Sequence, residues 1–262
     1  MKYLNLGCGS TFHENWMNID YASDSPFVKT HDLSKGIPFA DNSFKLAYHS
    51  HILEHFNRTD AINFLKECYR VTENGGVIRI VVPDLKETVD EYLEAYINVK
   101  KDASELNKAN YDWAVIELID QFVREDSGGE MLRYWTKENI INNTKLESRI
   151  GKVFYKFNDY QVPEYSTPKG FLEKLKAKIL DKFGISWKDY QKMQFYSIGE
   201  RHKWMYDDFS LAELLKKIGY TNITIRDGNK SYIEDWEKYK SLDVEGENLR
   251  MPNSLIIEAI KK

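Results

Sequence analysis

The sequence predicts an α/β protein on a doubly wound, mostly parallel sheet, interrupted by a long and largely helical insertion. Three observations predict it. From residue 2 to about 83, short β-type runs alternate with helical or turn-like stretches, the pattern of strands joined by crossovers. One run, Val77-Ile78-Arg79-Ile80-Val81-Val82, is apolar almost throughout, as expected of a strand buried on both faces of a parallel sheet. The rhythm lapses between about 84 and 205 and returns at 207. Residues 1–84 and 206–262 therefore read as one core, and 85–205 as an inserted cap forming the substrate side.

The first strand, around Tyr3, Leu4 and Leu6, breaks at once into Gly7-Cys8-Gly9. Glycine adopts backbone angles other residues avoid, and its missing Cβ lets a ligand come close. At the carboxyl end of a strand in an open α/β sheet, such a turn is where nucleotides bind. Trp16-Met17-Asn18-Ile19-Asp20 reads as a second strand ending on an acid. The Asp20 carboxylate is placed to accept both hydroxyls of a ribose. About nine positions separate Gly9 from Asn18, too few for a full crossover helix, so the first helix must be abbreviated. His31-Asp32-Leu33 offers a second acid, able to accept from an adenine amino group. After the turn-like Ala40-Asp41-Asn42-Ser43, the strand Phe44 to His49 runs into Ser50-His51-Ile52-Leu53-Glu54-His55.

Ala61, Phe64, Leu65, Cys68 and Val71 fall on one helical face, with Asn74-Gly75-Gly76 as the stop. In the insertion, Leu85, Val89, Tyr92, Leu93 and Tyr96 share one helical face; Val115, Leu118, Ile119 and Phe122 share another. A loop-like, aromatic-rich section follows, with Gly128-Gly129, Tyr134-Trp135 and Val162-Pro163. Phe171 to Phe183 is a lysine-rich amphipathic helix, expected to pack Leu172, Leu175, Ile179 and Phe183 inward; a membrane-surface or dimer contact is the alternative. Ser210-Leu211-Ala212-Glu213 reads as a capping box opening a helix that stops at Gly219. Residues 222–225 and 254–260 read as the last two strands.

A formal net charge of −4 argues against broad electrostatic capture of nucleic acid. Two cysteines, Cys8 and Cys68, give neither a disulfide framework nor a zinc spacing. No apolar run is long enough to span a bilayer, and the chain begins on a strand rather than a signal peptide. The expectation is a cytoplasmic protein without stable membrane insertion and without a metal; homodimerisation stays open. A dinucleotide fingerprint would need Gly or Ala three residues after Gly9, where Phe12 stands, which argues against hydride transfer.

The order Leu4-Asn5-Leu6-Gly7-Cys8-Gly9, Asn18-Ile19-Asp20, His31-Asp32-Leu33, Phe39 to Phe44, His51-Ile52-Leu53-Glu54-His55 and Tyr69 to Gly76 resembles class I S-adenosylmethionine-dependent methyltransferases. The match covers roughly residues 2–84, with a weaker return over 199–260. The resemblance implies a Rossmann-like, seven-stranded sheet whose last strand is antiparallel, with S-adenosyl-L-methionine as cofactor. It implies that Gly7, Cys8 and Gly9 approach the methionine part, Asp20 the ribose, and Asp32 with Leu33 the adenine. The backbone of His49 and Ser50 would lie near the sulfonium. Many family members carry an acid where Asn5 stands, so the ammonium contact would be made differently here. The inserted segment would act as the lid.

For chemistry, the implied reaction is methyl transfer to oxygen, in which the protein aligns a hydroxyl and removes its proton. A neutral histidine suits that task; His51 and His202 are the candidates. His202 lies in Gly199-Glu200-Arg201-His202-Lys203-Trp204-Met205-Tyr206. That segment resembles one in methyltransferase-like proteins of bacterial surface-polysaccharide biosynthesis. Asp84, Arg133, Arg201, Lys203 and Tyr206 are the candidate substrate contacts, the cations for an anionic group. The expected substrate is a small polar metabolite, such as a phosphorylated or nucleotide-linked sugar. A nucleic-acid methyltransferase and a non-catalytic cofactor-binding protein are the rival readings.

Overall fold

Seven strands hydrogen-bond into one sheet in the computed structural model, which describes residues 2–137, 139–151, 167–197 and 199–262. They are β1 (Tyr3–Leu6), β2 (Met17–Asp20), β3 (Val28–Thr30), β4 (Phe44–Ser50), β5 (Thr72–Pro83), β6 (Tyr220–Arg226) and β9 (Ser254–Lys261). A separate ribbon pairs β7 (Val244–Glu245) with β8 (Asn248–Leu249). The sheet order is β3-β2-β1-β4-β5-β9-β6. The β1 to β5 pairings are all parallel, and β9 runs antiparallel to both β5 and β6. This is the mostly parallel sheet that the alternating pattern predicts, in the Rossmann-like, seven-stranded form with an antiparallel last strand that the resemblance implies. Two compact units divide the chain: Met1–Asp90 with Lys203–Lys262, and Glu91–His202.

In the first unit the strands explain themselves by alternation. Ile78, Ile80 and Val82 of β5 join Leu4, Leu6, Ile257 and Ala259 on one face. There they meet α1 (Arg58–Val71) through Ala61, Phe64, Leu65, Cys68 and Val71, and α8 (Asp208–Ile218) through Leu211 and Leu215. On the other face Val77 and Val81 meet Trp16, Leu46, Tyr48, Trp236 and Ile256. That face is covered by the 227–250 segment with its short 3-10 turns at Trp236–Lys238 and Lys240–Leu242.

Four local expectations need correction. Between β1 and β2 there is no abbreviated helix but a run of turns, because the Asn5 amide donates to the Thr11 carbonyl and Cys8 N–H to Ile19, closing the loop directly. Helix α1 stops at Val71 rather than at the glycines; Thr72 caps it, its N–H and hydroxyl both donating to Cys68 O. Gly75, at φ 77°, sits instead in the irregular start of β5. The helix near 210 is capped by Asp207, whose carboxylate accepts Ser210 N–H at 2.7 Å while Ser210 Oγ accepts Asp207 N–H at 3.1 Å. Gly128-Gly129, read as loop, opens α4 (Gly129–Trp135). The reason is tertiary: the carboxylate of Asp120 accepts the N–H of Glu130 at 2.7 Å and of Met131 at 3.4 Å, satisfying orphan donors of a helix start.

The second unit is helical among its described residues: the later turns of α2 (Leu85–Lys101), then α3 (Glu105–Val123), α4, α5 (Asn143–Ile150), α6 (Phe171–Lys182) and α7 (Trp187–Ser197). Trp113, Leu132, Tyr134, Trp135, Leu146 and Ile150 form its core. Arg149 grips Glu117 through Nε and Nη2. Val162-Pro163 lies outside the described residues. Contrary to expectation, α6 does not pack its apolar face inward: Phe171, Leu172 and Phe183 are 77–81% exposed, and Leu175 and Ile179 about half.

Candidate active site

The carboxyl edge of β1 delivers Gly7 and Gly9, both in the left-handed region at φ 63° and 51°. A Cβ on Gly7 would fall 2.1 Å from Ile52 Cδ1, so a side chain here would have to displace Ile52 as well as hold a left-handed backbone. Around Gly9 nothing lies within 4 Å of a Cβ position, so the loop is open there. The Gly9 N–H donates to Asp20 Oδ2 at 2.7 Å, joining the ends of β1 and β2. An open glycine beside a carboxylate at adjacent strand ends fits an adenosyl cofactor: the carboxylate can accept from ribose hydroxyls, and the loop leaves room. Cys8 is buried with its thiol pushed up to about 12, by burial first and the Asp20 charge second. It is a packing residue rather than a nucleophile. Asn5 is buried, its amide spent on Thr11.

Asp32 caps a 3-10 turn at Leu33–Lys35, accepting from both the backbone N–H and the hydroxyl of Ser34. Those hydrogen bonds, with Lys35 3.5 Å away, hold its carboxyl below the usual range. Leu33 packs half-buried against the core below. Backbone pairing fixes His49 beside Leu6 and Ile80, and Ser50 beside Val81. The His49 ring is wholly buried, edge-on to Phe64, and neither ring nitrogen has a hydrogen-bond partner. Burial therefore drives its pKa down to about 4, against the opposing Glu54 charge. It is neutral at physiological pH.

His51 follows at φ 53°, a conformation that costs a non-glycine residue energy. It is held there by its N–H donating to Val81 O at 2.9 Å. Its Nδ1 lies 3.2 Å from Oε1 of the fully buried Glu54, and its Nε2 lies 3.0 Å from Ser254 Oγ. With the Nδ1 proton given to Glu54, Nε2 keeps a lone pair. The Ser254 hydroxyl donates to Met251 O, 2.8 Å away, so turning its proton onto the Nε2 lone pair would give up that bond. The ring remains 22% exposed. A base oriented by a buried acid, with its free nitrogen on a hydroxyl, is the arrangement that removes a proton from an alcohol.

The remaining expected contacts divide. Asp84 caps α2, its Oδ1 accepting Lys86 N–H at 2.9 Å and Glu87 N–H at 3.3 Å. Tyr206 pairs with Asp84 in a short bridge and is buried, its phenol without a partner and pushed up to about 12 by burial and then Glu54. Lys203 is exposed, and its N–H donates to Glu54 O at 2.7 Å. In the second unit, Arg133 is bound by Asp126 and Glu130, so its guanidinium is already engaged in structure. Arg201 donates to Phe122 O and stacks on Tyr196. His202 is buried, edge-on to Phe122, its N–H donating to Gln121 O.

Sequence reasoning missed Glu54 as the partner of His51, and Ser254. Both stand in stretches it singled out; Glu54 reaches His51 locally, three residues on, whereas Ser254 arrives only because β9 folds beside β5. It also missed Arg58, whose guanidinium lies 4.9 Å from the Trp204 ring centroid, next to Lys203.

The strand order and the open glycine loop define a nucleotide-binding Rossmann-like core. Residues 17–80 match a family model described as a methyltransferase domain. That match, on a sheet of this order, gives the chain a methyltransferase domain, with S-adenosyl-L-methionine as the cofactor. Among solved structures, an S-adenosylmethionine-dependent methyltransferase of Thermotoga maritima aligns at 12% identity and TM-score 0.41, covering 100% of this chain and 82% of that one. One from Archaeoglobus fulgidus aligns at 14% and 0.41, covering 99% and 86%. One from Mesorhizobium loti aligns at 12% and 0.39, covering 99% and 90%. No curated protein matches.

Proposed function

We propose that the enzyme methylates a hydroxyl oxygen of a small polar metabolite, with His51 as the general base. The substrate class is a phosphorylated or nucleotide-linked sugar, or another precursor of a capsule or surface polysaccharide. The observation that carries this is His51 set between buried Glu54 and the Ser254 hydroxyl at the end of β4. The cofactor supplies the methyl on a sulfonium, which needs little activation. The acceptor does need it. In this reading the substrate hydroxyl takes the place of the Ser254 hydroxyl at Nε2, and Glu54 steadies the imidazolium that forms. Exposed Lys203 and Arg58 beside the same turn supply the charge for a phosphate. Gly9 and Asp20 hold the adenosyl end.

The first test is calorimetric titration with S-adenosylhomocysteine and, separately, NAD. Binding of the former alone is expected, and Asp20→Ala should weaken it at least about tenfold, the loss of a charge-assisted pair of hydrogen bonds. Undiminished binding by that variant rules out the ribose assignment. Methyl transfer to nucleotide and phosphorylated sugars is then measured for His51→Gln. A kcat loss of about 10²–10⁴ is expected, with S-adenosylhomocysteine affinity unchanged. Full turnover in His51→Gln removes the base.

A further inference from the structure

Helix α6 is built the opposite way round from an ordinary surface helix. At 3.6 residues per turn, Phe171, Leu172, Leu175, Ile179 and the capping Phe183 fall within an arc of about 120°. All five are exposed. The half-buried residues, Ala177 and Leu180, lie on the opposing side. Lys174 and Lys178 line one margin of the apolar arc and Lys176 the other, while Lys182 falls within the arc in the last turn of the helix. The acids are kept off the arc: Glu173 turns back to accept Lys169 N–H at 2.8 Å, and Asp181 lies toward the half-buried side. Lys176 is drawn onto the Tyr190 ring, 4.2 Å from its centroid.

We propose that α6 is an interfacial helix that docks the protein on an anionic lipid surface. An exposed apolar arc with basic margins is the signature of a helix lying in the headgroup plane. The lysine stems run along the apolar surface while their ammonium groups reach the headgroups. Charge selects this occupant over a second copy of the chain. Residues 169–182 hold five lysines against one Glu and one Asp, in a chain whose net charge is −4. A twofold contact through this face would set like charge against like, whereas an anionic leaflet neutralises it. No helix among the described residues is long and apolar enough to cross a membrane, so the attachment is peripheral. It is independent of the reaction the enzyme performs.

The test is sedimentation of the full chain with vesicles of phosphatidylcholine alone and of phosphatidylcholine mixed with phosphatidylserine, at low and high salt. Binding to the mixed vesicles at low salt, lost at high salt, is expected. Two double variants follow, both at exposed positions: Leu175→Ser with Ile179→Ser, and Lys174→Glu with Lys178→Glu. Each should weaken binding at least about tenfold, since each lysine near such a surface is worth about fivefold, with melting temperature unchanged. No binding to the anionic vesicles, equal binding to neutral ones, or indifference to both variants overturns the proposal. A concentration-dependent dimer in sedimentation velocity that the serine variant abolishes also overturns it, in favour of a second copy.

Discussion

The two faces of the sheet bury the same strands by different means. Toward α1 and α8, the inner residues of β1, β5 and β9 are aliphatic, and the helices meet them with Phe64, Leu65, Leu211 and Leu215. Toward the 227–250 segment, the same strands carry Arg79 and Glu258 directly opposite each other in register. Both are fully buried. Arg79 donates to Asp243 Oδ2 at 2.7 Å, Glu258 Oε1 at 2.9 Å and the Lys230 carbonyl at 3.0 Å, and its guanidinium lies 4.2 Å from the Trp236 ring centroid. Asp243 also accepts from Tyr48, and Glu258 from Arg226, Ser231 and Tyr232. A helix brings its own satisfied backbone to a sheet face, so aliphatic contact suffices there. An irregular segment brings carbonyls and N–H groups that need partners, and the buried charges supply them. The ionic side therefore specifies one path for the 227–250 segment, whereas the aliphatic side only asks for volume.

The largest effect should come from breaking this network on one side. Asp243→Ala leaves Arg79 buried with one carboxylate gone and Tyr48 with only the Leu242 carbonyl, 3.4 Å away, as acceptor. Removing one partner of a buried pair costs about 3–5 kcal/mol, which urea denaturation monitored by tryptophan fluorescence will read. A loss below about 1 kcal/mol would show that water replaces Asp243 and that the network does not hold the segment.

The aliphatic face has its own exception, and pH exposes it. His49 is buried there unpartnered, with its pKa lowered from 6.5 to about 4, chiefly by burial. The groups facing it are Glu54, whose charge opposes the shift, and the Phe64 ring. Because the unfolded chain binds the proton more readily, stability falls as pH drops below about 6.5 and levels off below about 4. The full loss is about 3 kcal/mol at 1.36 kcal/mol per unit. The wild-type stability curve minus that of His49→Phe isolates this contribution from the other carboxylates. A difference flat between pH 7 and 4 would mean the ring is already charged in the folded state.

The contrast between the faces also explains what could be read in the sequence. The face of α1 was legible because Ala61, Phe64, Leu65, Cys68 and Val71 repeat at helical spacing and nothing else competes. The glycine turn was legible because Gly7 and Gly9 sit at positive φ, which favours that residue type. Arg79 passed as one letter in an apolar run, since its partner Asp243 stands 164 residues away. Glu54 lies in a 3-10 turn with no period to betray its burial, and it faces His51 through local i,i+3 geometry. The amphipathic pattern of α6 was plain, but a pattern names an apolar face without saying whether protein covers it.

The smallest expected effect sharpens the comparison most. If the faces differ only in their polar network, their apolar packing should respond alike to losing one methylene. Ile80 faces the helices and Ile256 the irregular segment, at 0% and 1% exposure. Replacing each by Val should cost about 0.5–1.5 kcal/mol, with the two values within about 0.5 kcal/mol of each other. A far larger cost at Ile256 would mean that the missing methylene lets the 227–250 segment shift and strains Arg79 against its carboxylates. The ionic side would then owe its order to tight apolar packing rather than to charge pairing, and the roles assigned to the two faces would have to be exchanged.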